Sequence, residues 1–288
     1  MRVLIAFDKF KDSLTAKEAC QIARRIIRKD HPDCEIDVAP LSDGGEGFCQ
    51  VLTESLNGSL IKAPVSGPCL GTLQAPIGII ETKKVPQESL TLLNLSPDTQ
   101  KIAIIEMASA SGLELLPTDL RNPWKTTSYG TGQLIRIAAE MNAQVIILGV
   151  GGSATNDLGL GALSTLGIEF RQKDGSKIRP PFPAKWSEIE ILEGQIFPSI
   201  PPIYIACDVT NPLLGPDGAA AIYGPQKGLS LHDIPKMEEL SQKMINLLCH
   251  LCDKPTHISE RPGAGAAGGI SFGFMVAANA TLISGIEL

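Results

Sequence analysis

The sequence predicts an α/β protein of two lobes: a Rossmann-like lobe with a parallel sheet, and a larger lobe of mixed α/β structure. The chain opens with the apolar segment RVLIAF, a helical pattern, the apolar segment EIDVAPL and a second helical pattern. This alternation favours parallel strands joined by helices. The pattern changes near residue 59, and 288 residues are more than one typical domain contains. These observations predict one lobe over residues 1–59 and another over residues 60–288.

The first lobe is predicted to hold two strands and two helices. Thr15 and Glu18 have the spacing of a capping box, which predicts that a helix begins at Ala16. The helix over GEGFCQVLTESLNG is expected to end at Gly58. Two parallel strands do not make a self-sufficient sheet, because such sheets are normally buried on both faces. We therefore expect an incomplete lobe with an open strand edge, through which copies of the chain could associate.

The second lobe is predicted to carry the glycine-rich segments. Two short strands flank a Gly-Pro turn after residue 59, and a polar excursion over residues 82–100 precedes the strand KIAIIEMA. The helix TGQLIRIAAEMNA leads into a buried strand over residues 145–150, and PIYIACD predicts another strand. Residues 171–202 are rich in Pro, Lys and Gly and are expected to be mostly loop.

The overall composition excludes several classes of partner. A formal net charge of −6 argues against a surface for nucleic acid or anionic membranes. No apolar run reaches the roughly 18 residues of a transmembrane helix, and the N-terminus reads as a strand rather than a signal peptide. The seven cysteines are irregularly spaced, which is typical of reduced thiols. We expect a cytoplasmic protein that binds neither nucleic acid nor a membrane.

A glycine-rich segment follows the predicted strand at residues 145–150. It places Gly151 and Gly152 beside two hydroxyl side chains, an amide and a carboxylate. A strand, a glycine turn and a helix N-terminus together present unpaired backbone N–H groups, and glycine lets a ligand approach the backbone closely. The segment is equally well explained as a tight turn in which Asn156 or Asp157 caps the next helix. On this segment alone, both interpretations stay open.

Clusters of polar residues follow several predicted strands. They cover residues 8–13, residues 42–47, residues 151–157 and the segment ACDVTNPLLGPDGAA. Open α/β sheets bind their ligands at the carboxyl ends of the strands. A single cluster of this kind is weak evidence, but their repetition favours a binding site.

The residue types in these clusters suit phosphoryl transfer, a reaction that needs mainly positioning and neutralisation of charge. Lys11 or Lys9 would serve as the cation on the phosphate, and Asp43 as the carboxylate near an attacking hydroxyl. Asp208 or Asp157 would supply oxygen ligands for Mg²⁺. Taken singly, each lysine is also explained as a solvated surface charge, and each aspartate as a turn or cap residue.

A dinucleotide-dependent oxidoreductase is an alternative enzyme class. Residues 263–268 fit the pattern G-x-G-x-x-G, but HISERP precedes them and is not a strand. Residues 8–13, after the first strand, contain no glycine, and no G-x-x-x-x-G-K-[ST] pattern occurs. The sequence thus argues against both common nucleotide-binding motifs. The segment TTSYGTG, residues 126–132, opens a helix and is a further candidate for binding an anion.

The chain also contains long segments in an order typical of one enzyme family. These are IAFDKFKDSLTA, LSDGGEG, IIEMASASGL, TTSYGTGQLI, GGSATNDLGLGAL, CDVTNPLLGPDGAA, YGPQKG and RPGAGAAGG. With them the chain resembles, over its whole length, the bacterial glycerate kinase family of the type that forms 2-phosphoglycerate. The resemblance implies a kinase of D-glycerate that depends on ATP and Mg²⁺, with two α/β domains around a cleft. The matching positions expected at the cleft are Lys11, Asp43, Glu46, Gly151, Gly152, Ser153, Thr155, Asn156, Asp157, Asp208, Asn211, Gln226 and Lys227.

Within this resemblance we assign roles from the chemistry of the side chains. Lys11, Asp43 and Asp208 are the predicted catalytic residues. Asp157 and Asp208 are the predicted ligands of Mg²⁺. The other matching positions are predicted to bind substrate or nucleotide. The same binding role is predicted for Ser13, Gly44, Gly45, Thr127 and Thr131.

The chain departs from the family pattern in two respects. Asp12 stands where the family more often has glycine, which alters the charge beside Lys11. Family members continue beyond the position of Leu288 with further β-α units, including a GEGRLDSQT-like segment, whereas this chain ends with SGIEL. We therefore expect a truncated first lobe and low activity. The alternative function is a catalytically weak or inactive remnant of such a kinase that acts only by binding.

Overall fold

The structure, a computed structural model, describes residues 1–10 and 13–285. Lys11 and Asp12 lie outside the described residues, so the catalytic role of Lys11 stays a prediction. The strands are β1 (Arg2–Ile5), β2 (Glu35–Val38), β3 (Ser59–Ser66), β4 (Thr72–Glu81), β5 (Lys101–Glu106), β6 (Val145–Gly149), β7 (Ile168–Arg171), β8 (Ile191–Gly194), β9 (Ile203–Ala206) and β10 (Thr281–Ile283). The α-helices are α1 (Ala16–Asp30), α2 (Phe48–Ser55), α3 (Gln87–Leu92), α4 (Ala108–Ser111), α5 (Tyr129–Glu140), α6 (Leu160–Thr165), α7 (Ala219–Tyr223), α8 (Ile234–Leu251) and α9 (Ala266–Ala277).

A six-stranded mixed sheet forms the centre of the structure, in the order β10-β9-β6-β5-β4-β3. Four strands of this sheet are parallel to one another, namely β10, β9, β6 and β5. Strand β4 pairs antiparallel with β5, and β3 pairs antiparallel with β4. The strands β1 and β2 form a separate parallel pair, and β7 with β8 forms a short antiparallel one. The predicted α/β class, with a parallel unit at the start and a larger mixed unit after it, is confirmed.

Strand β5, inside the central sheet, is covered on both faces because its apolar side chains point to alternate sides. On β5, Ala103 and Ile105 belong to the larger core, which α5, α6, α8 and α9 cover. Ile102 and Ile104 belong to the smaller core, together with Phe48 of α2. Burial on both faces explains why this strand reads as an uninterrupted apolar run in the sequence.

The unit of β1, β2 and α1 follows the sequence prediction closely. The hydroxyl of Thr15 accepts from the N–H of Glu18 at 3.2 Å, and the Glu18 carboxylate accepts from the N–H of Thr15 at 2.9 Å. The predicted capping box is therefore confirmed, and α1 begins at Ala16. Leu4 on β1 and Ile26 on α1 are 67% and 54% exposed. Apolar surface is thus exposed on this unit, and association of copies through it stays a prediction.

Helix α2 packs on the central sheet rather than on the β1–β2 pair. Phe48 and Cys49 are fully buried in the smaller core, together with Ile80 and Ile104. The predicted division at residue 59 would therefore separate α2 from the sheet that covers it. The two-lobe boundary stays a prediction.

Two short strands were not predicted from the sequence. Strand β8 lies within residues 171–202, which we expected to be mostly loop, and pairs with β7 while Trp186 is fully buried. The glycine-rich end of the chain forms α9 and β10, and β10 extends the central sheet beside β9. Both strands are short and draw their stability from neighbours distant in the sequence, so local patterns do not reveal them. Among the described helices, none combines the length and apolar character needed to cross a bilayer.

The junction between the Ser42–Gly47 segment and α2 is held by a carboxylate from the central sheet. Gly47 is the N-cap of α2 and has no side chain to accept the first N–H groups of the helix. Glu106, at the end of β5, accepts instead from the N–H groups of Gly47 at 3.0 Å and Cys49 at 3.2 Å. Burial raises the pKa of Glu106 to about 7, although both hydrogen bonds lower it.

Glu106→Gln should change how stability depends on pH. Because the Glu106 pKa rises from 4.5 to about 7 on folding, the folded chain binds the extra proton between these values. The wild-type free energy of unfolding therefore falls, relative to that of the variant, as pH rises through this window. Relative to wild type, the free energy of unfolding of Glu106→Gln should rise by about 1–3 kcal/mol as pH increases through this window.

Urea unfolding at pH 5, 6, 7 and 8 measures this difference. The matched control is Glu239→Gln on α8, because the Glu239 side chain is 68% exposed. Parallel pH curves for wild type and Glu106→Gln would contradict the prediction.

Candidate active site

The carboxyl ends of the parallel strands meet at one edge of the central sheet. Glu106, Gly149, Ala206 and Ile283 are register partners on β5, β6, β9 and β10. The segments that follow these strands, with the loops after β1 and β2, line a cavity of about 340 Å³. The predicted site residues that line it are Asp43, Glu46, Gly151, Gly152, Ser153, Asp208, Gln226 and Lys227. The fold therefore brings together residues from all four of the predicted polar clusters.

The Gly151–Ser153 segment lines this cavity with unpaired backbone donors. The carbonyl of Gly152 accepts from the N–H of Leu113 at 2.8 Å, whereas the N–H groups of Gly152 and Ser153 find no acceptor within the described residues. Gly152 has a φ of +66°, and a Cβ at this position would collide with the carboxylate of Glu46. Unpaired N–H groups beside a cavity are suited to an anion. This geometry favours anion binding for the first half of the glycine-rich segment.

Close contact between two backbones sets one wall of the cavity. The N–H of Gly151 donates to the carbonyl of Gly44 at 2.9 Å, and a Cβ on Gly151 would lie 2.5 Å from the Cα of Gly45. A Cβ on Gly44 would lie 2.8 Å from the carbonyl oxygen of Ala206. Gly44 and Gly45 were predicted to bind a ligand. In the structure they let the segment between β2 and α2 lie against the ends of β6 and β9, and their contact with a ligand stays a prediction.

Asp157 does not have the position expected of a metal ligand. Its side chain is fully buried, and Oδ2 accepts from the N–H and hydroxyl of Ser128 at 2.7 and 2.8 Å. Oδ2 also accepts from Thr127 and Gly161, and Oδ1 from the N–H of Gly159. Burial raises the pKa of Asp157, against the effect of these hydrogen bonds. Donors at the starts of α5 and α6 occupy its oxygens, an arrangement that resembles helix capping, and the metal role of Asp157 stays a prediction.

Lys227 is a buried cation beside the glycine-rich segment. Its side chain is only 2% exposed, and the ammonium donates to the hydroxyl of Ser153 at 2.8 Å and to the carbonyl of Thr155 at 2.7 Å. Burial lowers the pKa of Lys227 to about 7, while the neighbouring Asp157 raises it. An ammonium has three donors, so one remains beyond these two bonds. Since Lys227 lines the cavity, it adds positive charge next to the unpaired N–H groups.

Asp43 and Asp208 line the same cavity, and each has one oxygen held by the protein. Oδ1 of Asp43 accepts from the N–H of Gly45 at 3.0 Å. Oδ1 of Asp208 accepts from the hydroxyl of Ser284 at 2.8 Å and from the N–H of Gly285 at 3.1 Å. The second oxygen of each carboxylate accepts no hydrogen bond from the described part of the chain. These oxygens are available to a substrate hydroxyl or to a cation.

Two of the predicted binding residues lie in the interior instead of the cavity. Thr127 donates to Asp157, and the hydroxyl of Thr131 pairs with that of Ser111 at 2.8 Å. Both threonines are fully buried because TTSYGTG begins α5 inside the larger core. Their hydroxyls are occupied there, so the predicted contact with a ligand is not supported.

The remaining predicted residues surround the cavity without lining it. Thr155 and Asn156 are buried, and each has a side-chain oxygen without a hydrogen-bond partner. Oδ1 of Asn211 accepts from the hydroxyl of Tyr223 at 2.6 Å, and Tyr223 lines the cavity. Ser13 lines a neighbouring cavity of about 940 Å³. Direct ligand contact by these residues stays a prediction.

Three charged residues at the site were not among those assigned from the sequence. Lys9, only an alternative to Lys11, forms an ion pair with Glu46. Glu114 lines the cavity directly after the segment IIEMASASGL, in which no site residue was assigned. Arg121 lines the cavity but lies in the segment LRNPW, which no motif marks.

Comparison with known proteins identifies the chain's relatives. Residues 3–288 match the glycerate kinase family. The chain belongs to this family. A protein named glycerate kinase from Halalkalibacterium halodurans is 38% identical to it over 289 residues, covering 99% of this chain and 71% of the relative. The glycerate 2-kinase of Escherichia coli is 38% identical over 299 residues, covering 100% of this chain and 71% of the relative.

A solved structure supports the same assignment. The crystal structure of a protein described as glycerate kinase 2, from Salmonella typhimurium LT2, matches with a TM-score of 0.80 at 35% sequence identity. The match covers 100% of this chain and 72% of that chain. The resemblance drawn from the sequence segments is therefore confirmed at the level of the glycerate kinase family, and so is the enzyme class, a kinase.

Gly152→Val should weaken anion binding in this glycerate kinase family member. Valine disfavours a positive φ, and its side chain would collide with Glu46 beside the unpaired N–H groups. We expect sulfate affinity, measured by calorimetry, to fall at least about tenfold, that is by about 1.4 kcal/mol. Gly175→Val is the control for backbone strain, because Gly175 has a φ of +86° and no neighbour within 4 Å of a Cβ. Unchanged sulfate affinity in folded Gly152→Val would refute the prediction that the Gly151–Ser153 segment binds the anion.

The charge of Lys227 should make anion binding depend on pH. An anion favours the protonated amine, whose pKa in the free protein is about 7. Sulfate affinity should therefore be full below pH 7 and fall as pH rises above it, by up to about tenfold per pH unit. Sulfate is suited to this test because it does not titrate in this range.

In Lys227→Met, sulfate affinity should be weaker and nearly independent of pH between 6 and 9. Lys236→Met is the control, because Lys236 pairs with Glu239 on the exposed face of α8. A Lys227→Met variant with the wild-type pH dependence would exclude Lys227 as its source.

Proposed function

We propose that the chain transfers the γ-phosphoryl group of ATP to a hydroxyl of D-glycerate. The observation that carries this proposal is one cavity that combines unpaired N–H groups at Gly152 and Ser153, the buried ammonium of Lys227, and free carboxylate oxygens on Asp43 and Asp208. Phosphoryl transfer needs donors for the phosphate charge and a carboxylate near the attacking hydroxyl. Membership of the glycerate kinase family supports glycerate as the acceptor.

The glycine-rich segment and Lys227 are proposed to receive the phosphates of ATP. The ammonium is already fixed by Ser153 and Thr155, so it needs little reorganisation when a phosphate arrives. Burial strengthens its interaction with an anion, because few water molecules screen it. Lys11, outside the described residues, keeps its predicted role as a further cation.

Asp43 is proposed to orient the attacking hydroxyl and to accept its proton. In the transfer, a bond forms between the hydroxyl oxygen and the γ-phosphorus, and the bond from that phosphorus to the bridging oxygen of ADP breaks. The hydroxyl proton passes to the second carboxylate oxygen of Asp43. This oxygen is free because Gly45 binds only Oδ1.

Asp208 is the proposed ligand of Mg²⁺. Magnesium is commonly bound by one or two carboxylates together with waters and substrate phosphates, so a single aspartate fits. When bound, Mg²⁺ would neutralise charge on the phosphates. Ser284 and Gly285 hold the carboxylate in place.

We further propose that the phosphoryl group goes to the 2-hydroxyl, which gives 2-phosphoglycerate. The support is the relative from Escherichia coli, named glycerate 2-kinase, whose match covers 100% of this chain at 38% identity. A protein that binds these ligands without turnover is the competing proposal. The two make different predictions for ADP release and for the phosphorylated product.

The test is a coupled assay of ADP release by the purified chain with D-glycerate, ATP and Mg²⁺. We expect ADP release that requires D-glycerate and stops with EDTA, and phosphorus NMR should identify 2-phosphoglycerate as product. Asp43→Asn should lower kcat by about 100-fold or more, because the proton acceptor is lost. Asp217→Asn, outside the cavity lining, is the control.

Binding of ATP and D-glycerate without ADP release would favour the binding protein over the kinase. A product phosphorylated at the 3-hydroxyl would refute only the position of transfer.

A further inference from the structure

The described residues contribute three cations to the cavity, Lys9, Arg121 and Lys227. Lys9 is paired with Glu46, and Lys227 donates two bonds to the glycine-rich segment. The guanidinium of Arg121 donates only from Nε, to the carbonyl of Leu116 at 3.4 Å, and forms no ion pair within the described part of the chain. Its two terminal amino groups are therefore available to a ligand.

The backbone around Arg121 is fixed beside the unpaired N–H groups. Upstream, Leu113 donates to the carbonyl of Gly152 at 2.8 Å. Later in the chain, Gly228 packs so closely on the carbonyl of Arg121 that a Cβ added to Gly228 would collide with this carbonyl. The half-buried Arg121 lines both the site cavity and the neighbouring cavity of about 940 Å³. The free guanidinium is thus anchored at the junction of the two cavities.

We propose that Arg121 binds the carboxylate of the substrate and so selects a hydroxy acid over a neutral polyol. This inference rests on the proposed glycerate kinase function. A planar guanidinium matches a carboxylate through two parallel N–H···O bonds. The backbone N–H groups and Lys227 are available to the phosphates of ATP. Among the described cations of the cavity, Arg121 is the one that has no acidic partner. Asp43 and Asp208 would repel a carboxylate placed beside them, as would Glu114, which lines both cavities and forms no ion pair within the described residues.

The test compares D-glycerate with D-glyceramide, in which an amide replaces the carboxylate. Arg121→Met should lower kcat/KM for D-glycerate by about 10- to 100-fold, the value of hydrogen bonds to a charged group. Its kcat/KM for D-glyceramide and its KM for ATP should stay within about twofold of wild type. The kcat/KM of Arg121→Lys for D-glycerate should lie between those of wild type and Arg121→Met, because lysine keeps the charge and loses the planar pair of donors.

Arg136→Met is the matched control, because Arg136 pairs with Glu140 on the surface of α5. Unchanged discrimination between D-glycerate and D-glyceramide in folded Arg121→Met would overturn the inference. A higher KM for ATP with the same discrimination would assign Arg121 to the nucleotide instead, which also overturns it.

Calorimetry separates this inference from the proposed function. If the wild type releases no ADP with D-glycerate, the proposed kinase activity fails, and binding of D-glycerate alone still tests Arg121. The inference is supported if D-glycerate binds the wild type about tenfold or more tightly than it binds Arg121→Met. Equal binding, or no binding to either protein, overturns it.

Discussion

The shape of the site depends on two buried charges that hold one loop from opposite ends. Asp157 binds the starts of α5 and α6 through its carboxylate, and Lys227 binds Ser153 and Thr155 through its ammonium. Either charge would be costly in the interior without partners. Their mutual attraction and these hydrogen bonds keep both in place. The loop is therefore set by interactions within the core and has its donors in position before a ligand binds.

Much of the fold was predictable because its signals are local. The capping box at Thr15 fixed the start of α1, and apolar runs marked β1, β2, β5 and β6. The strands β8 and β10 were not predicted, because ILEG and TLI are short segments that no longer apolar run sets apart from their surroundings. The partner of α2 was also hidden, since the contact of Phe48 with the central sheet depends on the tertiary fold.

The site was predictable only in part. Strand ends marked Asp43, Gly151 and Asp208, and parallel strands place such ends at one edge of a sheet. The metal role of Asp157 stays a prediction, because a carboxylate that caps helices and one that binds a metal look alike in sequence. The difference lies in burial, which depends on where the starts of α5 and α6 meet. Arg121 carried no signal, because the position of its segment depends on contacts with Gly152 and Gly228, which are distant in the sequence.

The cap on α2 bears on the order in which the chain acquires its structure during synthesis. Helix α2 ends at Ser55, but the carboxylate that satisfies its first N–H groups belongs to Glu106. The sheet that covers Phe48 also lies later in the chain. At roughly 5–20 residues per second, ribosomes need several seconds to add that stretch. The segment emerges early and matures late, so the N-terminal region leaves the ribosome before α2 can be completed.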